Sequence, residues 1–414
     1  MRIDTAVVNE QRSDPRHERA WWILLGASLC VFSNSAPVAF YTFGVFLPEI
    51  IAQTHWSAQL VAAAIGPGLL AAAATALLAG RACDRFGIRR IILAGAPLAA
   101  IGLALVGLAP RSAAQFTAAI VLMFLLYFVG TPVPYAKLLS GWFDRRRGLA
   151  LSMMFASSSI GIAFWPPFAA FLIQRMGWRG AYVALGLTAA SLILIAALFL
   201  LKDPPTSRPS TIEKHGEEPG LVLSQALRTA KFWKISFIFF LLTGVLGGTA
   251  AIFPFVLRTQ GADPTTAASI MSAVGGFMFL GRLSLSITLD RFFAPYVTVW
   301  ITAVSMVAFV IMMIVTTLPA LFVAAAFLGF GLGCEYAVTA YMVSRAFGLR
   351  SFGSIYGLIT LLTTLGAALG ASLLGSALVS SIGIATLAGV ALAALSPAIL
   401  LLITLRRADL PYRN

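Results

Sequence analysis

The chain has 414 residues; 59% are hydrophobic, 11% are charged, and the formal net charge is +14. Soluble domains run at about 45–50% apolar and about 25% charged. So little charge cannot coat a water-soluble fold of this size, which argues against a cytosolic enzyme, a disordered chain or a nucleic-acid binder.

A membrane-spanning helix takes about 20 apolar residues, and twelve stretches meet that length. In chain order they cover 21–47, 57–80, 90–109, 113–136, 148–173, 180–201, 232–257, 265–289, 295–318, 320–343, 352–377 and 382–405. The first is about twice the length of a signal-peptide core and no polar mature domain follows it, so it reads as a retained helix. In span five, Trp165-Pro166-Pro167 suits either a helix break near the outer gate or plain packing. The longest polar stretch, 202–231, carries Pro, Ser and mixed charge and reads as a linker. Its end, LVLSQALRTAKFW, fits an interfacial amphipathic helix or a solvated connection equally well. The expected organisation is a tail at 1–20, a six-helix bundle at 21–201, the linker, a second six-helix bundle at 232–405 and a tail at 406–414.

An even number of spans puts both termini on one side. That side receives 24 of the 29 Lys and Arg residues; the other receives Arg111, Arg175, Arg179 and Arg258, and Arg282 falls inside a span. Basic loops collect on the cytoplasmic side, so both termini and the linker are expected in the cytoplasm, with the chain in a bacterial cell membrane. The same placement accounts for the charge without nucleic acid. Cys30, Cys83 and Cys334 are isolated, His17, His55 and His215 lie in polar segments, and no phosphate-binding GxxxxGK[ST] occurs. No metal, cofactor or nucleotide site is therefore expected.

The two halves echo each other. Asp84-Arg85-Phe86 follows span two, and Asp290-Arg291-Phe292 follows span eight, 206 residues later. The segment WFDRRRG follows span four and ends at Gly148; RAFGLRSFG follows span ten and ends at Gly353, 205 residues later. Two echoes at nearly one offset indicate an internal duplication.

The run from Gly80 to Arg90, GRACDRFGIRR, resembles the loop motif between helices two and three of the major facilitator superfamily. The resemblance covers about residues 20–406 and implies an all-helical membrane fold of twelve helices in two six-helix bundles, with alternating access to a site between them. The second copy is degraded, with Ser286 where Gly80 stands in the first. A narrower resemblance is to the monocarboxylate transporter and oxalate–formate antiporter branch. It rests on FGVFLP at 43–48, GWF and RRRG around 141–148, WRGAY at 178–182, and RAFGLRSFG with Tyr356-Gly357.

The loop motif has a reading of its own. Asp84 can accept hydrogen bonds from a neighbouring helix N-terminus or from an arginine, while Arg85, Arg89 and Arg90 can pair with acids or lipid phosphates. Such pairs would latch the cytoplasmic side; ordinary anchoring of a basic loop is the competing reading. Asp144, Asp290 and Arg291 are assigned to the same latch.

Two ionisable residues of opposite sign lie deep in predicted spans, Arg282 and Glu335. A charge at helix centre costs about 2.5–3.5 kcal/mol on insertion scales, so each is a functional candidate. Arg282 lies about 12 Å above the end of span eight, and Glu335 about 15 Å up span ten. Both are near the middle of a core about 30 Å thick, where transporters bind their cargo. The two residues could also pair as a structural bridge. Arg282 is similar in context to a helix-eight arginine of the carboxylate-transporting branch, and a guanidinium fork fits a carboxylate bidentately. The branch's Asp four residues earlier is Met278 here, and its helix-one Lys is absent, with Asn34 in that span. One buried positive charge favours a monoanion, and the missing Asp leaves Glu335 as the best-placed proton carrier. Asn34, Tyr41, Tyr127, Thr243, Tyr336, Tyr341 and Thr360 are polar candidates at similar depth, each with helix packing as its plainer role.

Resemblance and buried charges together lead to the expectation of a proton-coupled carrier of a small organic monocarboxylate, in contact with lipid and expected as a monomer. The alternatives are an efflux antiporter for drugs or metabolites and an anion exchanger that uses no proton.

Overall fold

In lipid an apolar segment must satisfy its backbone internally, and a helix does that alone. The computed structural model describes residues 15–108, 111–144, 146–204, 220–315, 317–379, 383–406 and 409–410. The described residues are helical apart from connections and one isolated antiparallel bridge between Gly220 and Gly348. Among the described residues ten helices are long and apolar enough to cross a membrane by length and composition. Twelve spans are present because one helix carries two of them and another span is broken.

The double helix is Arg147–Ile195. Gly177, at φ 68° and ψ 170°, makes the turn between spans five and six inside it, a conformation a side chain would strain. Pro166 and Pro167 are accommodated within span five, and the helix continues through them. The broken span is span four. It runs as Ala113–Leu126, a 3-10 turn at Phe128–Gly130, and Val133–Trp142. Pro132 and Pro134 have no N–H to continue the ladder at that point.

Span one is interrupted as well. Helix Pro15–Phe32 gives way at Ser33–Ser35 to a π-helical turn, Ala36–Phe40, before helix Tyr41–Thr54. Carbonyls released inside an apolar layer need partners, and side chains of the same half supply them. Trp165 Nε1 donates to the Phe32 carbonyl at 2.8 Å, and the Tyr127 hydroxyl donates to that of Ser33. Asn34 Oδ1 accepts the Ala36 N–H at 3.1 Å. Trp165 thus braces span one; it does not mark a break in span five.

Span two ends in Ile65–Phe86, and span three is Ile88–Leu108. Spans seven to twelve are Ala230–Thr259, Pro264–Thr288, Ala294–Ile314, Leu318–Phe347, Phe352–Val379 and Ile384–Ile403. Of the linker, residues 205–219 lie outside the described residues, and its end forms a five-residue helix, Leu223–Leu227. The two halves meet where span two packs on span eleven and span five packs on spans eight and ten. At the basic end, Gly80 and Gly353 face each other so closely that a Cβ on either would collide with the other's carbonyl oxygen.

Candidate binding cleft and its latches

The side bearing the basic loops is closed by carboxylates set against helix N-termini. Asp84, ending span two, accepts the N–H groups of Gly353 and Ser354 at 3.1 and 2.8 Å and the Ser354 hydroxyl at 2.6 Å. It also holds Lys137 Nζ at 2.8 Å. Asp290, after span eight, accepts the N–H groups of Gly148 and Leu149 at 2.7 and 2.8 Å. Each carboxylate belongs to one half and caps a helix of the other, where both orphan N–H groups and the helix dipole favour an anion. Burial pushes the Asp290 carboxyl above its ordinary range, and the Leu149 and Gly148 N–H groups pull it part of the way back.

A third bridge lies beside them. Asp144 Oδ1 accepts from Arg345 Nη1 at 3.0 Å and from Arg147 Nη2 at 3.2 Å, and its carbonyl accepts from Arg345 Nη2 at 2.8 Å. Arg147 is buried and also donates to Ser344 Oγ at 3.0 Å. Lys137 had counted in the sequence only as a charge on the basic side; Arg147 and Arg345 had also stood in the repeated segments WFDRRRG and RAFGLRSFG.

Of the arginines assigned to the latch, Arg89 is engaged within its own half: it donates from Nε and Nη2 to the Ala197 and Leu198 carbonyls, both at 3.0 Å, and so braces span six. Arg85 lies 5.1 Å from the ring of its neighbour Phe86. Arg291 is exposed.

Above the latches, span five stays clamped to the second half. Residues 148, 155 and 159 share one helical face, since positions three and four apart align. Gly148 meets Asp290, Phe155 stacks on Tyr336 at 5.9 Å, and Ser159 Oγ accepts from Arg282 Nη1. Arg282 is therefore the uppermost rung of this series. It is 3% exposed, and its Nε is buried without a partner. Tyr41 and Tyr336 lie within electrostatic reach of Arg282 and of each other. They are 40% and 37% exposed, whereas Arg282 between them is enclosed.

Glu335 and Arg282 do not pair. Cys334 faces span eight, with its Sγ 3.3 Å from the Gly281 carbonyl. One residue further on a helix is a rotation of about 100°, which carries Glu335 round to span seven. There its carboxylate accepts from Thr243 Oγ1. It borders a crevice with Phe239, Leu242, Thr298 and Ile301 inside the second half.

The remaining candidates have structural partners. Tyr127 is 1% exposed and commits its hydroxyl to Ser33; Asn34 caps the turn in span one. Thr360 bonds back to the Tyr356 carbonyl at 2.9 Å. Arg282, Tyr41 and Tyr336 come together; the Tyr127 hydroxyl, Asn34 Oδ1 and the Thr360 hydroxyl are each engaged with backbone. Ser159 was missed, because a lone serine in an apolar helix carries no distinguishing pattern. Among the described residues no group of three or more His, Cys, Asp or Glu side chains is placed to hold a metal.

The Major Facilitator Superfamily profile matches residues 27–371. Monocarboxylate transporter 13 of Rattus norvegicus is 27% identical over 367 residues, spanning 86% of this chain and 81% of its own. The uncharacterized MFS-type transporter YhjX of Escherichia coli K12 is 25% identical over 345 residues, spanning 82% and 84%. Among solved structures, the proton:xylose symporter XylE bound to 6-bromo-6-deoxy-D-glucose aligns over 93% of this chain and 95% of its own, with a TM-score of 0.76 at 14% identity. That last likeness is one of fold.

Proposed function

This chain belongs to the major facilitator superfamily, and from that membership we propose a secondary active carrier that moves a small organic monocarboxylate together with a proton. Membership makes it a transporter and not an enzyme; the cargo and the coupling are the proposal. The observation that carries it is Arg282, a buried guanidinium at the contact between the two halves, held by the Ser159 hydroxyl and, among the described residues, by no carboxylate. A buried charge without a counter-ion costs several kcal/mol. A substrate carboxylate relieves that cost, and one positive charge takes one negative charge. The 27% identical monocarboxylate transporter supports the same class.

Glu335 is the proposed proton carrier. With carboxylate on Arg282 and a proton on Glu335, the loaded carrier has no net charge at its core. A neutral core crosses the occluded state at lower cost than a charged one. Because the two residues do not touch, coupling runs through span ten, which carries Glu335 and the cleft residue Tyr336 side by side. By the distribution of basic residues the closed side is cytoplasmic, so the cleft faces outward. The separation of Glu335 from the cleft also favours a second reading, anion exchange without a proton.

The test is uptake into proteoliposomes of labelled acetate, L-lactate, pyruvate and benzoate, with and without an inward proton gradient. Accumulation of at least one of them, driven by the gradient alone, is expected. Exchange without gradient-driven accumulation selects the second reading, and uptake of none of the four rejects both.

A further inference from the structure

A guanidinium can hold a carboxylate on either of two edges. The side-on edge offers Nε and Nη2, and the end-on edge offers Nη1 and Nη2. In Arg282, Nη1 is taken by Ser159 Oγ of span five, while Nε is buried and unpartnered. The end-on edge is therefore half occupied, while on the side-on edge the buried Nε has no partner. An unsatisfied donor of this kind in a buried site asks for an acceptor.

We propose that the substrate carboxylate docks side-on against Nε and Nη2 of Arg282, and that Ser159 is the positioning residue that aims this edge. The proposal rests on the assignment of Arg282 as the anion site. Ser159 does not touch the substrate. It fixes the rotation of the guanidinium about its long, flexible stem, so the fork is oriented before the anion arrives. Ser159 belongs to the first half of the chain and Arg282 to the second. The aim of the fork therefore depends on how span five is seated against span eight. That seating is also set by Asp290 on the N-terminus of span five. Substrate affinity is thereby tied to closure of the basic side, and the tie is reciprocal.

The experiment measures initial uptake in proteoliposomes with whichever of acetate, L-lactate, pyruvate or benzoate the wild-type protein transports. Ser159→Ala should raise KM about tenfold with kcat changed less than twofold. Ser159→Thr, which keeps the hydroxyl, should stay within about threefold of wild type. Ser159→Asp places a fixed carboxylate on Nη1 and should abolish binding while the protein remains folded by thermal melt. An unchanged KM in Ser159→Ala, or wild-type binding by Ser159→Asp, overturns the positioning role while leaving the anion site standing. A wild-type KM in Arg282→Gln removes the anion site itself and this proposal with it. So does failure of the wild type to take up any of the four.

Discussion

Asp84 and Asp290 stand 206 residues apart in the chain and occupy equivalent places in opposite halves. Asp84 accepts the N–H groups of Gly353 and Ser354 at the start of span eleven; Asp290 accepts those of Gly148 and Leu149 at the start of span five. Two carboxylates thus join the halves on the same side of the molecule by one geometry, used twice.

Removing one latch should shift the molecule toward its other state. Loss of a helix-capping acceptor costs about 0.5–2 kcal/mol, so Asp84→Ala should raise the population opened on the basic side by about 2- to 30-fold. Gly80→Ala should act at least as strongly, because the new Cβ meets the Gly353 backbone and backbone cannot rotate away. Spin labels at positions 81 and 291, both exposed on the basic side, report the change as a longer interlabel distance. An unaltered distance distribution in both variants removes the latch role.

Asp290 gives this state a pH dependence of defined sign. Its carboxyl is raised above the usual range in the closed form and returns to that range once the side opens and water reaches it. The form with the raised value binds the proton more readily. The closed population should therefore grow as pH falls through the window just above the ordinary carboxylate range, and shrink as pH rises. Asp290→Asn should abolish that component of the distance change between positions 81 and 291.

The orientation of the chain rests on the distribution of its basic residues. A single cysteine at Ser210, in the linker and outside the described residues, should resist a membrane-impermeant thiol reagent in intact cells. The native Cys30, Cys83 and Cys334 are buried and should contribute little background. Labelling at position 210 places the linker outside and reverses the direction of the carrier.

Glu335→Gln fixes the neutral form of that side chain and keeps a partner for Thr243. Substrate exchange across the membrane should persist within about threefold of wild type. Accumulation driven by a pH difference alone should disappear. If it continues, the proton travels on another group.

Much of the frame was legible because it is dictated by lipid. Apolar length gives the spans, and the repeated Asp-Arg-Phe marks where each half presents a carboxylate to the other. Asp84, an acid amid basic residues, does accept the N–H groups of a facing helix. What could not be read was which way each side chain points. In a water-soluble helix the polar face reveals the phase; here the lipid-facing and packed faces are both apolar. Ser159 therefore looked like any other small residue. Lys137, Arg147 and Arg345 looked like loop charges, although each is engaged in a bridge on the basic side. Tyr127 and Asn34 stood out as polar groups at mid-depth. They satisfy the broken backbone of span one, a break marked by no proline before Pro37. Arg282 and Glu335 stood out by charge and depth, and Arg282 also by the branch resemblance; their lack of contact follows from the roughly 100° step between adjacent helix positions.

The central claim is that Arg282 binds the carboxylate of the cargo. It is tested most directly by equilibrium binding of the transported monocarboxylate to purified wild-type, Arg282→Lys and Arg282→Gln protein. The lysine variant keeps the charge but loses the two-donor edge, so its affinity should fall about 10- to 150-fold, in line with a loss of about 1.5–3 kcal/mol for a charged hydrogen bond. The glutamine variant should show no saturable binding while melting as a folded protein. Wild-type affinity in folded Arg282→Gln protein contradicts the account.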